Sequence, residues 1–177
     1  MKLRVGRIAT SIVISGVVLF GGWFLYQEWA IERPLENLLK DVEGVSQVQL
    51  DIQPKELGVK LDLVPGTDLG AVIRHLEQDG KKQIGNRELK IDVADNASPE
   101  LNELWENAMF AVAQAMENKQ YTEITAALEQ MEQDHKELKA TAEMDNEYVY
   151  ITLTDGQSSK FIILPRTPQR MGVWPNA

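Results

Sequence analysis

The chain has 177 residues and no cysteine, and its 27 Asp and Glu residues outweigh its 18 Lys and Arg residues to give a net charge of −9. The lack of cysteine excludes disulfide bonds, thiol nucleophiles and thiolate metal sites. The acidic surplus argues against nucleic acid as a partner, because a phosphate backbone repels such a surface.

The N-terminal segment is predicted to be a retained membrane anchor. Residues 8–26 contain no charged side chain, and about 20 apolar residues suffice for a helix to cross a bilayer. Bulky aromatic residues, Trp23, Phe24, Tyr26 and Trp29, follow where a signal peptidase requires small ones. We therefore expect a single-pass anchor at 8–26 rather than a cleaved export signal or a buried helix.

The charges around this segment predict its orientation. Three basic residues precede the anchor and two acidic residues follow it closely, namely Lys2, Arg4, Arg7, Glu28 and Glu32. Under the positive-inside rule, residues 1–7 form a cytoplasmic tail, and the C-terminal part lies on the extracytoplasmic side of the cell membrane. That external part carries 15 basic and 27 acidic residues, a net charge of −12.

Residues 34–95 are predicted to form an α-β-β-α-β module. Pro34 suits the first turn of a helix, Thr67 is a plausible N-cap of the second helix, and residues 80–88 form a polar loop. Apolar residues recur at helical spacing in two segments and alternate with polar residues, as in strands, in three. The helical sets are Leu35, Leu38, Leu39 and Val42, and Leu69, Val72, Ile73 and Leu76. The alternating sets are Val48, Leu50 and Ile52, then Val59, Leu61 and Leu63, and finally Leu89, Ile91 and Val93. We expect one sheet face covered by two helices.

Residues 98–165 are predicted to form a helical hairpin and a three-stranded antiparallel β-meander. Ser98 and Pro99 suit an N-cap and a first helical turn, and a second helix can begin at Thr122. The stripe of that second helix is Ile124, Leu128, Met131 and Leu138, and the strand-like segments are ATAEM, YVYITLT and KFIILP. The fold class is therefore α+β, and the two parts can pack as one domain or form two.

The C-terminal residues 166–177 contain two prolines and no periodicity. Two interpretations stay open at this point. The segment is a tail or a strap lying over the domain, or it is a docking peptide in which Trp174 fills a pocket of a partner.

Residues that could act in catalysis or metal binding do not combine into a known motif. His75 and His135 lack the paired ligands of a zinc site, so we expect both at the surface or its boundary. Ser158 and Ser159 precede Lys160 too closely for a Ser-x-x-Lys nucleophile, and a hairpin loop is the better interpretation.

Two further patterns each have one functional interpretation and one without a function. The scattered carboxylates Glu129, Glu132, Glu137 and Glu143 could bind calcium weakly, but a solvated acidic face is favoured. Ser11 and Ser15 lie four residues apart in the anchor, a spacing that self-associating helices use and that is also common by chance. The sequence thus nominates no catalytic residue, no cofactor and no metal site.

Residues 34–93 resemble the ring-building-motif domains of secretion-system rings and of sporulation membrane proteins. The resemblance lies in LENLLKDVEGVSQVQLDI, GVKLDLVPG, DLGAVIRHLEQ and ELKIDVAD, about a third of the chain. It implies a small α/β module just outside a membrane anchor. More broadly, the chain is similar to uncharacterised single-pass membrane proteins of Gram-positive bacteria, spore formers among them.

These observations favour a non-enzymatic, membrane-anchored extracytoplasmic protein that binds other proteins or copies of itself. The expected contact segments are the helix next to the anchor and the edges of the sheets, where unpaired strands accept a partner strand. Two alternatives stay open. The first is a sensor that binds a small ligand in a groove between the two parts, and the second is a hydrolase whose carboxylates converge only in the fold.

Overall fold

The computed structural model describes residues 5–94 and 96–167, with side chains from Val13 onward except those of Phe24 and Glu28. It confirms a mixed α+β architecture with two three-stranded sheets in the described residues. Residues 1–4 of the predicted N-terminal tail and the C-terminal residues 168–177, including Trp174, lie outside the described part.

The chain begins with a long helical segment. Helix α1 (Val5–Gln27) leads through a π-helical turn (Glu28–Glu32) into helix α2 (Arg33–Lys40). Ile31, Leu35 and Leu39 recur at four-residue spacing and are buried, so this face of the helix belongs to the core. Pro34 lies in the first turn of α2 as predicted, because its missing N–H has no helical partner there.

Helix α1 covers residues 8–26, the segment predicted to cross a membrane. Over the residues that the structure describes, no helix is both long and apolar enough for such a crossing. The transmembrane part of the predicted fold is therefore not supported by the helices of this structure.

The first sheet has the predicted α-β-β-α-β order with one addition. Its elements are β1 (Val45–Ile52), β2 (Glu56–Leu63), α3 (Leu69–Asp79), the one-turn helix α4 (Lys81–Ile84) and β3 (Glu88–Val93). Strand β2 is central, antiparallel to β1 and parallel to β3. The alternating apolar residues of the three strands face α2 and α3, and their polar neighbours form the open face.

Two local predictions in this module were wrong. The N-cap of α3 is Asp68, whose Oδ1 accepts a hydrogen bond from Ala71 N–H at 2.7 Å. Thr67 instead donates its hydroxyl to the Val64 carbonyl at 2.6 Å and so closes the preceding turn. The polar loop 80–88 contains α4, whose Ile84 is buried and gives this short turn an apolar anchor in the core.

The second part consists of the helical hairpin α5 (Pro99–Glu117) and α6 (Tyr121–Asp134) and the antiparallel meander β4 (Leu138–Met144), β5 (Tyr148–Asp155) and β6 (Ser158–Pro165). The predicted cap of α5 is confirmed, because Ser98 Oγ accepts a hydrogen bond from Leu101 N–H at 3.2 Å. The predicted apolar stripe of the second helix wrongly included Leu138, since α6 ends before this residue, which is buried in β4.

Strand β5 is buried on both faces. Val149, Ile151 and Leu153 pack under the helical hairpin, whereas Tyr150 belongs to the core of the first module. The half-buried Tyr148, Phe161 and Ile163 pack on that same side. The second sheet thus lies between the helical hairpin and the first module, with side chains in both cores.

Candidate functional site

A groove of about 580 Å³ lies between the two sheets. Its apolar residues come from α3, β3, β5 and β6 and include Ile73, Leu89, Ile91, Tyr148, Tyr150 and Ile163. Glu77, Glu88, Lys90 and Glu147 supply its polar lining. Its volume lies within the roughly 300–1,000 Å³ typical of ligand-binding clefts.

One wall of this groove is the open edge of strand β3. The strand lies at the end of its sheet, and its Glu88 and Ala94 N–H groups donate toward β2, to the carbonyls of Lys55 and Leu61 at 2.9 and 2.7 Å. Backbone groups alternate sides along a strand, so those of Leu89 and Ile91 point to the opposite edge. The groove therefore combines apolar side chains with backbone groups oriented to pair with another strand.

Side chains cover the edges of two other strands at specific points, and a backbone bridge covers that of a third. Gln27 Nε2 donates to the Ile52 carbonyl of β1 at 3.5 Å, and Glu132 Oε1 accepts from Ala140 N–H of β4 at 2.7 Å. Asn96 forms an isolated bridge with Ser159 of β6. Such covers hinder edge-to-edge pairing, and they make β3 the edge best placed to receive a partner strand.

Asp145, in the turn between β4 and β5, organises one end of the groove. Its Oδ2 accepts the Tyr150 hydroxyl at 2.6 Å, and its Oδ1 accepts the N–H groups of Glu147 and Tyr148 at 2.7 and 2.8 Å. Burial acts to raise the pKa of Asp145, but these three hydrogen bonds lower it overall. Burial and the bond to Asp145 raise the pKa of Tyr150 well above its usual range, so this hydroxyl stays a donor.

Glu77 faces this turn from helix α3. Burial first, and then the negative charges of Asp145 and Glu147, raise the pKa of its carboxyl above the ordinary value. The groove is therefore a region in which carboxylates gather with too little compensating positive charge.

Two arginines fix the walls around the turn. Arg74 of α3 reaches across to Glu143 of β4, with Nη2 and Oε2 3.0 Å apart. Arg166, which follows β6, lies over the Tyr121 ring with its Cζ 5.0 Å from the ring centroid and also donates to the Asp145 carbonyl. These contacts tie α3, α6 and both ends of the meander to the groove.

The residues singled out in the sequence lie mostly elsewhere. His75 Nδ1 is 2.8 Å from Asp79 Oδ2 on α3, and His135 follows the end of α6. Ser158 and Ser159 belong to the start of β6 beside a tight hairpin turn, where the Ser159 and Thr154 hydroxyls are 3.0 Å apart.

Two of the four carboxylates that were considered as weak calcium ligands, against the favoured interpretation of an acidic face, have partners in the protein. Glu132 caps the β4 edge and Glu143 binds Arg74, and the described residues contain no cluster of His, Asp and Glu suited to a metal. In α1, the side chain of Ser11 lies outside the described part and that of Ser15 is exposed.

A second, more apolar groove of about 480 Å³ lies between α5 and β6. Trp105, Met109 and Met116 line it together with Leu164 and Pro165, and Phe110 beside it is 74% exposed. Sequence reasoning allowed a groove between the two parts but named no residue of either groove, because each forms only where segments distant in the chain meet. Comparisons with protein-family models, with curated proteins and with solved structures found no match for this chain, so the resemblance to ring-building-motif domains stays a prediction.

Proposed function

We propose that this chain is a membrane-anchored, extracytoplasmic and non-enzymatic protein-interaction module, and that the groove between its two sheets binds an extended segment of a partner protein or of another copy. The observation that carries the proposal is the open edge of β3 inside an apolar groove. A segment that adds to this edge gains main-chain hydrogen bonds from the strand and side-chain pockets from the groove.

The apolar surface of the groove suits such a guest strand. Tyr150 and Ile73 are almost fully buried and give a firm base, whereas Tyr148 and Ile163 are half-buried and have area left to contact a guest. Each additional buried apolar group contributes at about 25 cal/mol per Å². Backbone pairing supplies affinity, and these side chains supply selectivity.

Helix α1 supports the proposed membrane attachment. Its described apolar side chains are exposed around the whole helix, with Val17, Leu19 and Phe20 at 67, 71 and 80%. A helix that is apolar on every side requires burial in protein or in lipid. Together with the uncharged residues 8–26 and the preceding basic residues, this favours an anchor with a cytoplasmic N-terminus.

The alternative function is an extracytoplasmic sensor that binds a small ligand in the same groove. The volume of the groove favours this alternative, since it matches ordinary ligand sites. A dispersed-carboxylate hydrolase ranks lower and would rely on Glu77 and Glu147. A thermal-shift screen with cell-wall fragments and metals separates the sensor from the interaction module, because a ligand that binds only the folded state raises the Tm.

Binding of a strand-forming peptide tests the proposal. The full chain in detergent micelles is titrated against a fluorescent nine-residue peptide of alternating Val and Thr, and binding is followed by anisotropy. Ile163→Ala removes groove surface and is expected to weaken binding about tenfold.

Ile162→Ala is the matched control for this titration. Ile162 is also half-buried on β6 but packs toward the helical hairpin, so this variant should lose stability and keep its affinity. Weakening by Ile162→Ala and not by Ile163→Ala would place the peptide elsewhere and contradict the proposal.

A further inference from the structure

The polar lining of the groove is strongly biased toward negative charge. Glu77, Glu88 and Glu147 line it from α3, from β3 and from the turn between β4 and β5. Asp145 belongs to the same turn and accepts the Glu147 N–H. Helix α3 and strand β3 also supply apolar surface to the groove. A guest strand would therefore meet acidic and apolar groups in the same groove.

The neighbouring cations already hold other carboxylates. Lys90 Nζ lies 2.6 Å from Glu56 Oε2, on the neighbouring strand outside the groove lining. Arg74 Nη2 lies 3.0 Å from Glu143 Oε2 and 4.0 Å from Asp68 Oδ1. The positive charge near the groove is thus shared with residues beyond it, and the groove keeps an acidic surplus.

We infer that the extended segment bound in this groove is basic, with Lys or Arg side chains directed at Glu77 and Glu147 and apolar side chains directed at Ile73 and Ile163. This inference rests on the proposed function and adds the chemistry of the partner. In a strand, successive side chains point to opposite sides, so a segment that alternates basic and apolar residues presents one set to the carboxylates and the other to the apolar base. Complementary charge of this kind selects one class of partner over another.

The raised pKa of Glu77 agrees with this assignment. Burial, Asp145 and Glu147 disfavour the charged carboxylate of Glu77. The other charged and titratable groups around it are Glu88 and Lys90 on β3, Tyr148 and Tyr150 on β5, Arg74 on α3 and Arg166 after β6. A guest cation would offset the repulsion between the carboxylates and stabilise the ionised form.

The test compares three fluorescent nine-residue peptides on the full chain in detergent micelles. All alternate Val with a second residue, which is Lys in the basic peptide, Thr in the neutral one and Glu in the acidic one. At low ionic strength we expect the basic peptide to bind about tenfold more tightly than the neutral one and the acidic peptide to bind most weakly.

Paired variants separate the groove from the overall acidic surface. Glu77→Gln/Glu147→Gln should abolish the preference for the basic peptide. Glu123→Gln/Glu129→Gln changes the net charge equally on the exposed side of α6 and should leave the preference intact.

Each outcome bears on a definite claim. Equal binding of the three peptides would overturn the basic partner and leave the interaction groove in place, whereas binding of none would overturn both. A preference that survives in the groove variant and disappears in the α6 variant would assign it to the general surface charge and overturn the inference.

Discussion

Asp145 shows how a single side chain positions the candidate site. It accepts hydrogen bonds from the Tyr150 hydroxyl and from two N–H groups of its own turn, and its carbonyl accepts one from Arg166. The turn is thereby fixed to Arg166, which follows β6, and to the core tyrosine. The same arrangement places Asp145 and Glu147 near Glu77, and burial together with these two negative charges raises the pKa of Glu77.

Replacing Glu77 tests that electrostatic description. The folded state raises the pKa of Glu77, so this carboxyl favours folding when protonated, and its contribution is lost as the pH rises through the folded-state pKa. Glu77→Gln should therefore raise the free energy of unfolding at pH 7, and the gain should shrink as the pH falls below the ordinary pKa of glutamate. Urea unfolding of both chains at several pH values measures this, with Glu129→Gln as the exposed control.

A lower stability of Glu77→Gln at pH 7 would contradict the description, because it would mean that the charged carboxylate is favourably solvated or paired in the folded protein.

At the scale of elements, the contact between α3 and β5 depends on Gly70. A Cβ atom at this position would lie 2.7 Å from Arg74 Nη1, 2.9 Å from Glu143 Oε2 and 3.1 Å from Tyr150 Cδ2. Helix α3 approaches the second sheet this closely because residue 70 has no side chain. The Arg74–Glu143 pair and the core tyrosine meet at this same contact.

Gly70→Ala is expected to destabilise the protein by about 1 kcal/mol, because its Cβ displaces the paired ends of the Arg74 and Glu143 side chains and presses on the Tyr150 ring. Gly→Ala in an unobstructed helix has the opposite effect, a gain of about 1 kcal/mol, so the sign is diagnostic. Chemical denaturation measures the change. Removing the obstructing guanidinium with Arg74→Ala should reduce the cost of Gly70→Ala, and an unchanged cost would contradict this view of the contact.

Element types were largely predictable because their signals are local. The alternation of Val48, Leu50 and Ile52 reports one buried strand face directly, and Ser98 followed by Pro99 marks the start of a helix. The errors have local causes as well. Both Thr67 and Asp68 can cap a helix, and only the geometry of the preceding turn decides between them.

At the scale of the molecule, strand β5 is buried more completely than an alternating pattern of apolar and polar residues predicts. Strand β5 reads as a strand in YVYITLT, but residues 149–153 are buried on both of its faces, and a strand buried on both faces lies between two layers. The contact of Tyr150 with Gly70 and the groove beside it depend on pairings across about 80 residues of chain, which no local pattern reports. The candidate site was therefore beyond sequence reasoning, which named the sheet edges as expected contact segments but none of the residues of this groove.

The proposed anchor makes a prediction for the intact protein. Alkaline carbonate should leave the full chain in the membrane pellet. Val17→Lys/Val18→Lys should release it, because a lysine at the centre of a membrane helix costs about 2.5–3.5 kcal/mol. Val64→Lys, at a position outside α1 that is 50% exposed, should stay in the pellet. Extraction of the unaltered chain would contradict anchoring.

The most direct measurement of the central claim is amide hydrogen exchange of the full chain with and without the Val/Thr peptide. Strand addition at β3 predicts that the amides of Leu89 and Ile91 exchange at least about tenfold more slowly with peptide bound, because they gain main-chain partners. The amides of Glu88 and Ala94 already donate to β2 and should change little. Unchanged exchange at Leu89 and Ile91 under saturating peptide would contradict the claim that this groove receives a partner strand.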